Sequence, residues 1–314
     1  MHQSRAEIIG HRNTLVSQIL SPSSTRTYSR AWDLFKEFSA LFETGSKPLL
    51  PASVSDMTLF VAFLDSKGLA PATTATYISA VAFQHKMAGL PDPTGAFIIQ
   101  KLLQATRYNR IALDTRLPIT EPLLVQLCRA SLVVTPDKFK QQLFNTMMVV
   151  AFWVFFRVGE ITSKGKFPCR TDIKLTDLTF NRQRHGETVY ATITLRWFKH
   201  HRGGEPWQVV MNESLTREIC PVTALMAYLK SKCHTQGNLF TFVDGAPVQR
   251  SWFTGQLDRT VAFCGLDPTR YKAHSFRIGA ATSAAARGMS DAQIRLAGRW
   301  KSDAFKKYIG QATP

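Results

Sequence analysis

The sequence predicts a mainly α-helical protein with a small β-hairpin: an all-α N-terminal domain followed by an α+β C-terminal one. Three observations carry that expectation. The 314 residues are enough for about two domains of ordinary size. Apolar residues recur at helical spacing along most of the chain. β-Branched residues concentrate in one stretch, Thr188-Val-Tyr-Ala-Thr-Ile-Thr-Leu195.

Residues 1–22 read as an arm or a short leading helix, with a weak pattern (Ile8, Ile9, Leu15, Val16, Ile19) that stops at Ser21-Pro22. The first domain, 23–110, follows. From Thr25, the residues Tyr28, Trp32, Phe35, Phe38 and Phe42 fall on one helical face, with Gly45 as a stop. A second helix runs from Val54 to Ser66 and a third from Thr73 to Lys86 after Pro71, stopping at Gly89. A fourth spans about Gly95 to Asn109. Arg110 to Pro118 (RIALDTRLP) loses the helical period and ends in proline, so residues 111–118 read as an exposed linker and 119–314 as the second domain. There, helices are expected near Glu121–Ser131 and Lys138–Thr162. The β-branched stretch comes next, turned back by Gly203-Gly204 into Trp207-Gln-Val-Val-Met211, with Lys199, His200, His201 and Arg202 near the tip. After Cys220-Pro221 the pattern is helical again. Ser290-Asp-Ala-Gln293 is a capping box, Gly298 ends that helix, and Ser302 caps a last short one.

Composition narrows the function classes. With 45% apolar and 19% charged residues the chain is expected to be ordered and globular. The longest apolar run, Met147 to Phe156, is about half of what a bilayer crossing needs, and no apolar core follows Met1-His-Gln-Ser-Arg5, so no membrane partner and no secretion are expected. Thirty-nine Lys and Arg against 22 Asp and Glu leave a net charge of +17. Such an excess points to a polyanion, nucleic acid above all, with a merely basic soluble protein as the plain alternative. Both halves share it: 11 bases to 7 acids in residues 1–113, and 28 to 15 in the rest. The five cysteines (Cys128, Cys169, Cys220, Cys233, Cys264) are scattered and never form C-x-x-C, which predicts neither a disulfide framework nor a zinc site.

The chemistry-bearing residues lie in FFRVGE (Arg157, Glu160), in the hairpin (Lys199), in HSFR (His274, Arg277), and in GRW with the tyrosine beyond it (Trp300, Tyr308). Taken singly each has a structural alternative: a surface His-x-x-Arg, a tryptophan that plugs the core, a packed tyrosine, a private Arg157–Glu160 ion pair. Together they fit one task. Two guanidinium forks, Arg157 and Arg277, with donors from His274 and Trp300, suit the spread negative charge of a phosphodiester in flight. A tyrosine hydroxyl among those cations can attack phosphorus, and Lys199 can protonate the leaving 5′ oxygen. That chemistry calls for no metal and no cofactor.

The order FFRVGE, hairpin lysine, HSFR, GRW and tyrosine resembles the tyrosine recombinases of the phage-integrase superfamily. GRWKSDAFKKYI is most similar to recombinases of eukaryotic DIRS-like and Crypton-like mobile elements. The resemblance implies a SAM-like core-binding domain over 23–110 and a catalytic domain over 119–314. It assigns Arg157 and Arg277 as the paired arginines, Glu160 as the supporting acid and Lys199 as the hairpin lysine. His274 and Trp300 become the remaining donors, and Tyr308 the nucleophile. It implies double-stranded DNA as partner, a dimer on one site and a tetramer at synapsis, DNA strand transfer for integration or excision, and a nuclear location for a eukaryotic mobile element, otherwise a cytoplasmic or nucleoid one. A topoisomerase of type IB and a domesticated non-catalytic DNA-binding protein are the rivals. On the Thr73–Lys86 helix, Thr74, Gln84, His85 and Lys86 are candidate DNA contacts or else a solvated polar face. Two departures stand out: Tyr308 comes 8 positions after Trp300, one fewer than in bacterial members, and only 6 residues follow it.

Overall fold

In the computed structural model, residues 4–42, 48–108, 115–165, 167, 169, 171–182, 189–198 and 205–309 are described. The chain forms two compact units, 1–113 and 114–314. Helix α1 (Arg5–Ser17) opens on a capping box in which Ser4 and Glu7 bond each other's backbone N–H groups, and it buries no residue. Among the described residues, four more α-helices belong to the first unit: α2 (Pro22–Phe42), α3 (Val54–Ser66), α4 (Pro71–Met87) and α5 (Phe97–Tyr108), with a 3₁₀ turn at Pro93–Gly95. Their starts follow local chemistry. Ser53 and Asp56 form a second capping box, and Pro71 takes the first turn of α4, where its missing N–H costs nothing. The core is aromatic: Phe60 meets Phe35 edge-on at 5.0 Å and Phe38 at 5.2 Å, with Met57, Leu64, Ile78, Val81 and Ile99 around them.

The second unit holds α6 (Glu121–Val134), α7 (Lys138–Trp153) and a one-turn α8 (Val158–Ile161), then strands β1 (Leu178–Arg182), β2 (Val189–Leu195) and β3 (Trp207–Asn212). After the sheet come α9 (Pro221–Ser231), α10 (Arg250–Phe263), α11 (Ser275–Ala286), α12 (Asp291–Ala297) and a 3₁₀ helix, Asp303–Tyr308. The sheet is antiparallel in the order β1-β2-β3, with Phe180 opposite Ala191 and Ala191 opposite Met211. Helix α7 is buried nearly all round, among α6, α9 and α11. Its apolar run is therefore core.

Three expectations need correction. The linker does not reach Pro118: Leu117 N–H bonds the Arg270 carbonyl, Ile119 N–H bonds that of Ser275, and Pro118 is buried, so the chain is docked on the second unit from Leu117. β1 is a third strand that the pattern did not announce. Its five residues hold a single β-branched one, Thr179, and it gains its place by pairing along β2. The helix expected over Lys138–Thr162 breaks at Phe155, which takes a left-handed conformation (φ 54°). Phe155 N–H bonds the Phe152 carbonyl and Phe156 N–H that of Ala151, the paired bonds of a Schellman stop. The Gly203-Gly204 turn lies outside the described residues.

Candidate active site

Two helix ends build the site. The first is the stop after α7. Beyond it Arg157 stands as the N-cap of α8, so it is placed by a helix break and not by the continuous helix that the apolar run suggests. Glu160, buried and three residues on, accepts from the Arg157 backbone N–H at Oε2 (3.0 Å) and from its Nη1 at Oε1 (3.1 Å). The guanidinium end of Arg157 is pinned while a quarter of its side chain stays exposed.

The second helix end follows α12. The capping box of Ser290 and Gln293 starts this helix as expected. Its stop is again a Schellman motif, with Arg299 N–H to the Leu296 carbonyl and Trp300 N–H to that of Arg295. The left-handed residue is Arg299 (φ 54°), not Gly298. Gly298 is required for another reason: a Cβ there would lie 1.6 Å from the Trp300 ring. Trp300 folds back over this glycine and meets Phe155 edge-on at 6.0 Å, which brings the two stops together.

Helix α11 supplies the link. Gly279 lets it lie directly against the Ile119 carbonyl, where a Cβ would come within 1.8 Å. From this helix Arg277, with no exposed surface, donates through Nη1 to the Phe155 carbonyl at 2.5 Å and through Nη2 to the Gly298 carbonyl. These are the free carbonyls of the two helix stops, whose partial negative charge suits a buried cation. The guanidinium also stacks on Trp300 at 4.0 Å. Burial, and the neighbouring charge of Arg157, draw its pKa down to about 9, against the opposing pull of Glu160 and Tyr308. It is charged at neutral pH.

His274, one turn before Arg277 and at the N-cap of α11, points to the nucleophile candidate: its Nε2 is 3.1 Å from the Tyr308 hydroxyl. Tyr308 is itself largely buried, and its carbonyl accepts from the Thr282 hydroxyl of α11. Phe305, buried against Trp300, fixes the 3₁₀ helix that carries it.

Six of the seven expected site residues thus converge: Arg157, Glu160, His274, Arg277, Trp300 and Tyr308. The seventh, Lys199, lies outside the described residues. Arg299 was missed. It is buried, donates to Glu160 Oε2 at 2.8 Å and to the Val154 carbonyl at 3.3 Å, and shares the one carboxylate with Arg157. Its signal was available in GRW, where arginine follows the glycine that ends a helix. Among the described residues no group of three or more His, Cys, Asp or Glu could hold a metal ion.

The helix α4 candidates fare differently. Thr74 and His85 are fully buried and cannot face a groove. The His85 ring is a core fixture: Nδ1 lies 2.9 Å from the Val81 carbonyl, and Nε2 accepts from Ala52 N–H at 3.0 Å. Thr74 and His85 sit on the α4 face that packs inward, which the polar run of the sequence concealed. Gln84 is half-buried, and Lys86 is exposed, with its ammonium 3.1 Å from Asp92.

No family model and no curated protein matches this sequence. Solved structures match along the whole length. A lambda integrase dimer bound to a COC′ core site is similar with a TM-score of 0.63 at 12% identity, over 99% of this chain and 96% of that one. The Tn1549 transposon integrase in complex with transposon right-end DNA gives 0.60 at 15% identity, over 98% and 94%. The XerH site-specific recombinase bound to palindromic difH substrate gives 0.62 at 14%, over 90% and 75%. The chain has the tyrosine-recombinase fold.

Proposed function

We propose that this chain is a site-specific DNA recombinase that cuts and rejoins duplex DNA through a 3′-phosphotyrosyl intermediate on Tyr308. One observation carries the reading: a tyrosine hydroxyl, 3.1 Å from His274 Nε2, belongs to a cluster that sets three guanidinium groups against one carboxylate. Structural or surface roles do not call for that surplus of buried positive charge, whereas a phosphodiester does.

In the proposed reaction the Tyr308 oxygen bonds to phosphorus and its proton passes to His274. The bond from phosphorus to the 5′ oxygen breaks, and that oxygen takes a proton, the task assigned to Lys199 on the resemblance stated above. Attack by a partner strand's 5′ hydroxyl reverses the chemistry and releases Tyr308. Arg157, the partly exposed cation, meets the phosphate, while Arg277 acts from behind as a fixed source of positive potential. The same resemblance supports a dimer on each site, a tetramer at synapsis, and integration or excision of a mobile element in the nucleus. Gln84 and Lys86 remain candidate DNA contacts of the first unit.

The test is a pool of duplex oligonucleotides with randomised sequence and a central nick, which traps a cleaved strand as covalent adduct. The wild-type chain is expected to form adduct on an enriched sequence, with the DNA mapped to Tyr308, and Tyr308→Phe to form none. Adduct from the phenylalanine variant would overturn the assignment. Relaxation of supercoiled plasmid by a monomer at many sequences would instead indicate a type IB topoisomerase. DNA binding without any adduct would indicate a non-catalytic binding protein.

A further inference from the structure

Glu160 holds Arg157 by two hydrogen bonds, and a carboxylate this close cancels most of the guanidinium's attraction for a third group. As an isolated pair the two would be neutral toward DNA. Arg299 changes that balance. Its Nη2 lies 2.8 Å from the second oxygen of the same carboxylate, so two cations share one anion and a unit of positive charge is left over. Arg299 is buried and Arg157 is the more exposed partner, which puts the surplus on the side that a ligand can reach.

We propose that Arg299 is a positioning residue: it neutralises Glu160, so that Glu160 orients Arg157 without quenching its charge toward the scissile phosphate. The inference rests on the recombinase reading above.

The surroundings of Arg299 fit this role. Its left-handed backbone would suit glycine better, so the side chain must offset a local cost of about 1 kcal/mol. The guanidinium lies over the rings of Phe156 at 5.2 Å and Phe198 at 5.7 Å, and Nη1 is held by the Val154 carbonyl. Little freedom remains. Arg299 also immediately precedes Trp300, which stacks on Arg277, so one residue ties the α12 stop to the turn that presents Arg157.

The experiment compares Arg299→Gln and Arg299→Lys with wild type on the sequence recovered from the nicked pool. Each is assayed on the ordinary scissile phosphate and on an uncharged methylphosphonate at that position. Gln keeps a donor for Glu160 and removes the charge. Adduct formation by Arg299→Gln is expected to fall about 10²-fold on phosphate, as for a lost oxyanion donor, and to fall far less on the methylphosphonate, which carries one negative charge fewer at every stage. Arg299→Lys keeps the charge and is expected to lose less than about tenfold on phosphate. Equal losses of Arg299→Gln on both substrates would reduce Arg299 to a structural ion pair and sink the inference, with the recombinase reading intact. Should Arg299→Gln not fold, a loss by Arg299→Lys on phosphate of about 10²-fold or more would sink it equally. Absence of adduct from wild type on both substrates would remove the reading and the inference together, whereas adduct on phosphate but none on the methylphosphonate would remove the inference alone.

Discussion

The first unit buries His85 and the second buries Arg277, and the two residues serve opposite ends. Both are fully enclosed, both bond backbone groups, and the sequence marks both as candidate contacts. His85 closes its account within its own unit: one ring nitrogen serves Val81, the other Ala52, and nothing is left to offer a ligand. Arg277 also spends its terminal nitrogens on two carbonyls, yet it keeps its charge, and the carboxylate nearby, Glu160, is already bonded by Arg157 and Arg299. Burial with complete satisfaction marks structure. Burial with surplus charge is costly to desolvate, and the proposed function is what gives that charge a use.

That contrast can be broken at several points. The largest effect is expected from Arg277→Met, which leaves the Phe155 and Gly298 carbonyls without their donors. Stability should fall by about 3 kcal/mol in urea titration, and adduct formation by about 10²–10³ in the fraction still folded. A folded variant with wild-type cleavage would put Arg277 in the same structural role as His85. His85→Ala should cost about 2 kcal/mol, since it strands a buried N–H and opens a cavity, while cleavage per folded molecule holds. Loss of DNA affinity out of proportion to stability would return His85 to the list of contacts. Gly298→Ala should cost about 1–3 kcal/mol through its clash with Trp300; cleavage should fall as well, because Trp300 backs Arg277. The smallest effect belongs to Lys86→Ala. Its exposed pair with Asp92 is worth under about 1 kcal/mol, so a thermal melt should barely shift.

Much of the architecture was legible in the chain. A capping box announced α12, prolines announced the starts of α4 and α9, and aromatic spacing announced the buried face of α2. The order of the motifs singled out six of the residues that the structure gathers into one site. The helix break at Phe155 was not legible, because a phenylalanine carries no mark of a left-handed backbone. Nor was β1, whose pairing with β2 stands in for a propensity it lacks.

By itself, then, the sequence determined where several helices begin, which residue types the site contains, and the positive balance of the whole. These follow from local capping chemistry, periodicity and simple counting. Tertiary structure alone decided which charges share a partner and which polar groups are shut away. Glu160 serves two arginines, one of them 139 residues distant, and His85 turns inward to Ala52, 33 residues away. The physical reason is that hydrogen bonds and desolvation act through space. No spacing along the chain records which carbonyl or carboxylate a buried side chain will meet.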